Sequence, residues 1–142
     1  MVYLGLASGL FAGAAATNEL PNNGSRHSQI GVGFGSAKTF YFRNLTTGQN
    51  SDSLTGESQV HWFINKTGAS VSYTNPAGAT AQLADNTADL WAGNKLILAG
   101  IAAATPTQTL DNFKFIFNGV GGGAIVLDDI IISTGSNAIL NK

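Results

Sequence analysis

The strongest pattern in the chain is an alternation of apolar and polar positions with a period of two. That spacing places successive side chains on opposite faces of a β-strand. In Thr39-Phe40-Tyr41-Phe42-Arg43, Phe40 and Phe42 share one face, while Thr39, Tyr41 and Arg43 share the other. In Gln59–Ile64 the inward set is Val60, Trp62 and Ile64. In Asn112–Phe117, Phe113, Phe115 and Phe117 line one face, and Val71 and Tyr73 alternate with Ser70, Ser72 and Thr74. These residues are mostly β-branched or aromatic, the types that fit a pleated surface. Glycine, asparagine and proline punctuate the runs. The Pro21–Ser25 and Thr46–Asp52 stretches read as loops, and Asn65–Gly68 as a turn returning the Trp62 strand into the Val71 strand. Asn75–Gly78 and Ala92–Asn94 read as hairpin turns, and Gly119–Gly123 as the link between two long final strands, the second over Ile125–Ser133. About nine or ten strands at this spacing predict an all-β, two-sheet antiparallel β-sandwich of jelly-roll type. The expected core comprises Phe40, Phe42, Val60, Trp62, Ile64, Phe113, Phe115, Phe117, Leu127 and Ile131. No segment has helical periodicity.

Length adds that the 142 residues form one domain. Val2–Ala16 is the long apolar stretch. Glycines interrupt it, and it is too short to span a bilayer, so it reads as an apolar arm or the first strands. A secretory signal lacks its basic n-region here and is the weaker reading.

Composition narrows the function classes. Cysteine is absent, which removes disulfides, thiolate metal sites and cysteine catalysis. Charged residues make up 11% of the chain, against a usual figure of about 25%, and the net charge is −1. No basic stripe is present to bind nucleic acid. A neutral surface rich in Gly, Ala, Thr, Ser and Asn lacks strong self-repulsion, which suits an exported protein packing against copies of itself.

Catalytic sets are missing. His27 and His61 have no G-x-S-x-G elbow to serve, and Glu19 and Glu57 have no acid partner on the same strand face. The expectation is a protein that is not an enzyme. Asp128 and Asp129 in the last strand are candidate ligands for a structural calcium ion, with a β-bulge as the plainer explanation. Gly31, Gly33 and Gly35 lack the helix that a dinucleotide fingerprint requires, so they read as sites of close backbone approach. Three N-glycosylation sequons begin at Asn23, Asn44 and Asn65. Outward aromatics flanked by amides are the usual furniture of a sugar site, which makes Tyr41, Tyr73, Trp91 and Asn94 the candidate glycan contacts, although Trp91 fits the core better.

The run Leu110–Asn118, the Gly-rich link and Ile125-Val126-Leu127-Asp128-Asp129-Ile130-Ile131-Ile132-Ser133 resemble the end of a concanavalin A-like (laminin G-like) jelly-roll domain. Thr87–Asn94 resembles the aspartate–aliphatic–Trp hairpin of the same family, and with Ile30–Asn44 the likeness covers the last three quarters of the chain. It implies a module of secreted or surface proteins, structural or carbohydrate-binding. The glutamate cluster of the family's glucanases has no match, and the chain is short for the complete domain. A missing strand leaves an edge for another chain to fill. The apolar arm, through Val2, Tyr3, Leu4, Leu6, Leu10 and Phe11, is the expected donor between copies at an extracellular or cell-surface location.

Overall fold

The computed structural model describes residues 9–13, 22–36, 38–117 and 124–135. The protein is all-β. Among the described residues there are ten strands, one 3-10 turn at Asn23–Ser25 and no α-helix. No helix among them is long and apolar enough to cross a membrane. The strands are β1 (Gly9–Gly13), β2 (Arg26–Phe34), β3 (Thr39–Asn44), β4 (Leu54–Thr55), β5 (Val60–Asn65), β6 (Val71–Thr74), β7 (Thr80–Leu83), β8 (Thr87–Ala92), β9 (Lys95–Ala102) and β10 (Asn112–Ile116).

Every pairing is antiparallel. One sheet has the order β10-β1-β2-β3-β4, a second has the order β5-β8-β9, and β6 and β7 form a separate hairpin. The first two sheets share one apolar core: Ile30 and Phe42 from one meet Ala88, Leu90, Leu98 and Ile101 from the other. Leu10, Val32, Phe40, Val60, Trp62 and Ile64 pack around them, and Trp62 meets Phe113 edge-on at 6.5 Å between ring centroids. The period-two reading therefore placed most of the inward set correctly. Alternation works here because each sheet buries only one face against the other.

β8 is the exception to simple alternation. Four consecutive residues, Ala88, Asp89, Leu90 and Trp91, are buried. Ala88 and Leu90 face the core, whereas Asp89 and Trp91 point to the other side, where the β6–β7 hairpin covers them. The hairpin keeps its own alternation, with Tyr73 and Leu83 buried and Ser72, Thr74, Thr80 and Gln82 exposed. It adds a third β-layer that the two-sheet expectation did not contain.

Other expectations change. Asn65–Gly68 does not close a hairpin: β5 pairs with β8, and β6 with β7. The buried Asn65 turns the corner instead. Its Oδ1 accepts from Thr67, and its Nδ2 donates to the carbonyls of Ala69 and Leu83. Asn44 caps the next loop in the same way, accepting from the backbone N–H groups of Thr46 and Thr47. Of the sequon asparagines, Asn44 and Asn65 are thus buried and occupied. Asn75–Gly78 and Ala92–Asn94 close their hairpins as expected. The strand glycines mark close approach: a Cβ on Gly33 would overlap the ring of Tyr41, and one on Gly9 would overlap the carbonyl oxygen of Ile30.

The largest correction concerns the final strand. Residues 124–135 form no strand, and the expected core members Leu127 and Ile131 are 47% and 74% exposed. Phe117 also lies outside the core, just past β10, edge-on to Phe34 at 6.0 Å. With no ladder partner, the run from Ile125 to Ser133 has no buried face for its alternation to fill.

Candidate functional site

Two features stand apart from ordinary sandwich packing. One is a buried polar cluster under the β6–β7 hairpin, and the other is the uncovered apolar segment after β10.

The cluster draws one residue from β6 and two from β8. The Tyr73 hydroxyl donates to Asp89 Oδ2 at 2.6 Å and accepts from Trp91 Nε1–H at 3.0 Å. The other carboxylate oxygen of Asp89 accepts the Gly100 N–H at 2.8 Å. All three side chains are nearly inaccessible, Asp89 at 7%. Burial, then the Asp89 carboxylate, holds the Tyr73 hydroxyl well above the ordinary phenol range. The Tyr73 ring lies on Phe63 at 4.3 Å, and Phe63 stacks on His61 at 6.5 Å. Every polar atom named here has its partner inside the protein, so the cluster reads chemically as a clamp fixing the hairpin to the sheet. A shallow groove of about 500 Å³ runs beside it, lined among others by Asn75, Gln82, Leu96, Ala99 and Gly100.

Of the four candidate glycan contacts, the structure brings Tyr73 and Trp91 together and separates the other two. Tyr73 and Trp91 are buried and bonded to each other, and both line the groove. Tyr41 lies on β3, across from Gly33, on the sheet that does not carry Trp91. Asn94 is exposed in the β8–β9 turn.

Asp128 and Asp129 are exposed and not on a strand. Asp129 adopts a φ of 51°, and its N–H bonds the Asp128 side chain at 3.0 Å, so the pair forms a local bend. No group of three or more metal-ligating side chains lies among the described residues. Of the expected assembly residues, Val2, Tyr3, Leu4 and Leu6 lie outside the described residues. Leu10 and Phe11 belong to β1, which is paired on both sides within its own chain, between β10 and β2. Phe11 is buried there beneath the Arg26 guanidinium, 4.9 Å from the ring.

The segment at 124–135 is the reverse of the cluster. Val126 is 91% exposed, and Leu127, Ile130, Ile131 and Ile132 are exposed beside it. The other exposed large apolar residues among those described are Leu96, Leu110 and Phe117, and the last two flank β10. The sequence marked this segment as apolar and β-prone. It gave no sign that the segment stands without a partner.

Buried His27 forms a second polar centre. Its Nε2 lies 3.1 Å from Asn86 Oδ1, and its Nδ1 lies 2.8 Å from Ser28 Oγ. Asn86 Nδ2 donates to Asp85, which fixes the amide, so Nε2 carries the proton and Nδ1 accepts from Ser28. Burial, helped by nearby Lys66, lowers the His27 pKa against the opposing pull of Asn86 and Asp85. Burial lowers His61 likewise. A depressed folded-state pKa means the unfolded chain takes up protons first. Stability is therefore full above the ordinary histidine value of about 6.5 and falls as pH drops below it. Thermal unfolding midpoints at pH 7.5, 6.5 and 5.5 are expected to decline, and His27→Gln to decline less steeply. Equal slopes in the two proteins would remove His27 as a cause.

Compared with protein-family models, curated proteins and solved structures, the chain matches none.

Proposed function

We propose that the protein is a non-catalytic structural module, a jelly-roll-type β-sandwich subunit of an extracellular or cell-surface assembly built from copies of itself. The observation that carries this reading is the exposed apolar segment at 124–135. Contiguous exposed apolar residues in a folded protein mark a surface destined for burial. A net charge of −1 offers little repulsion between copies.

Negative-stain electron microscopy with light scattering tests it. Ordered filaments, tubes or discrete oligomers are expected, and the triple variant Val126→Lys/Ile130→Lys/Ile132→Lys is expected to remain a 14.6 kDa monomer with an unchanged unfolding midpoint. A wild-type protein that stays monomeric over a hundredfold range of concentration would exclude the reading.

The groove beside Trp91 supports a second reading, glycan binding at its rim. Binding on a glycan array that weakens in Gln82→Ala and Leu96→Ala would favour it, and an array with no hits would remove it.

A further inference from the structure

We infer that the groove beside Trp91 binds the acetamido group of an N-acetylated sugar, with Asn75 as the donor that recognises it. This rests on the glycan reading above and names the class of sugar.

The groove runs between the β6–β7 hairpin and the last strand of the smaller sheet. Ala81 and Leu83 of β7 line it together with Leu96, Ala99 and Gly100 of β9. Its volume of about 500 Å³ suits a small molecule. Asn75 follows the end of β6 and lines the same groove while only 7% exposed. Its Oδ1 accepts the N–H groups of Ala77 and Ala79, both at 3.0 Å, which fixes the orientation of the amide. Nδ2 is left with no hydrogen-bond partner among the described residues. The polar side-chain atom there that is both sealed from solvent and unpartnered is Trp62 Nε1, so Asn75 Nδ2 opens onto the groove that Asn75 lines. A donor held in place by its own turn is pre-organised, and a ligand that uses it need not order it first.

The rest of the lining selects what carries the acceptor. Asp89 is its charged side chain, and both carboxylate oxygens are already occupied, by Tyr73 and Gly100. An ionic ligand therefore finds no counter-charge. Ala81, Ala84 and Ala99 supply small apolar surface. An acetamido group presents a carbonyl oxygen next to a methyl, which matches an amide donor next to alanines. Thr87 Oγ gives its proton to the Ala84 carbonyl at 2.7 Å and keeps lone pairs for a sugar hydroxyl. An extended peptide also carries amide carbonyls, but it docks by joining a strand edge. On the β9 wall Gly100 interrupts that edge at φ 58°, and its N–H is taken by Asp89.

NMR titration of the isotope-labelled protein with N,N′-diacetylchitobiose tests the assignment, with cellobiose as the matched disaccharide lacking acetamido groups. The side-chain amide signals of Asn75 and the backbone signals of Ala99 and Gly100 are expected to shift. The acetylated sugar is expected to bind about tenfold more tightly than cellobiose, as one added hydrogen bond allows. Asn75→Asp keeps an acceptor for the turn, removes the donor and is expected to lose that preference. Ala99→Leu leaves the turn untouched, and at an exposed position it is expected to block the groove with the unfolding midpoint unchanged. Equal affinity for the two disaccharides, or full binding in Ala99→Leu, would overturn the assignment while leaving the glycan reading intact. Equal shifts from the blocked dipeptide N-acetylalanine methylamide would give the groove to peptides and overturn the sugar. If neither disaccharide moves these signals the assignment falls, and a glycan array without hits would sink the glycan reading with it.

Discussion

Asp89→Ala is expected to lower stability by about 3–5 kcal/mol, because it removes an ionic acceptor from two buried donors at once. The Tyr73 hydroxyl loses its 2.6 Å acceptor and the Gly100 N–H its 2.8 Å one. Hydrogen bonds to charged groups contribute about 1.5–3 kcal/mol each, and a buried donor left without a partner costs about 1–3 kcal/mol. Asp89→Asn keeps the shape and one acceptor and is expected to lose less. Its amide N–H₂, however, faces a Tyr73 oxygen that already accepts from Trp91. Urea unfolding of the three proteins measures the series. A loss below about 1 kcal/mol in Asp89→Ala would mean that the hairpin is not held by this cluster. Alkaline titration gives an independent view. Raising the Tyr73 pKa makes its contribution full below the ordinary phenol value of about 10 and lost as pH climbs above it. Tyr73 should therefore ionise only as the protein unfolds, and earlier in Asp89→Ala.

The sequence made the sandwich legible because most strands bury one face. Phe40 and Phe42, or Trp62 and Ile64, announce that face by alternating with polar neighbours. β8 escaped the same logic, since both of its faces are covered and its run Ala88-Asp89-Leu90-Trp91 reads as an irregular mixture. Nothing local says that an aspartate in such a run is a core residue. Its partners come from β6 and from the backbone of β9, so only the tertiary arrangement assembles the cluster. Tyr73 and Trp91 stood among four candidate glycan contacts, but sequence could not show their polar atoms turned toward each other.

The glycine reading held for a related reason. Gly31, Gly33 and Gly35 sit in and just past a strand, and a missing side chain there has to be explained by a neighbour's presence. The Tyr41 ring over Gly33 and the Leu45 side chain over Gly31 supply that neighbour. The C-terminal run misled because an apolar strand pattern states what a segment needs, a covered face, without stating who covers it. Val126, Ile130 and Ile132 satisfy every local rule for a strand and still lie uncovered.

Two leucines put that distinction to the test. Leu90 is fully buried between the sheets, among Ile30, Phe42 and Leu98, and Leu90→Ala is expected to cost about 3–4 kcal/mol through lost transfer energy and a cavity that close packing cannot refill. Leu127 has the same side chain but stands 47% exposed on an unpaired segment. In the dilute monomer Leu127→Ala is expected to change stability by no more than about 0.5 kcal/mol, as surface positions do. Under the self-assembly reading proposed above, the same substitution weakens assembly at concentrations where copies associate, whereas Leu90→Ala weakens it only as far as it unfolds the subunit. Urea titration below the association range, followed by light scattering above it, separates the two. If Leu127→Ala matched Leu90→Ala in the monomer, the segment would belong to the core of its own chain, and the proposed assembly would lose its apolar contact surface.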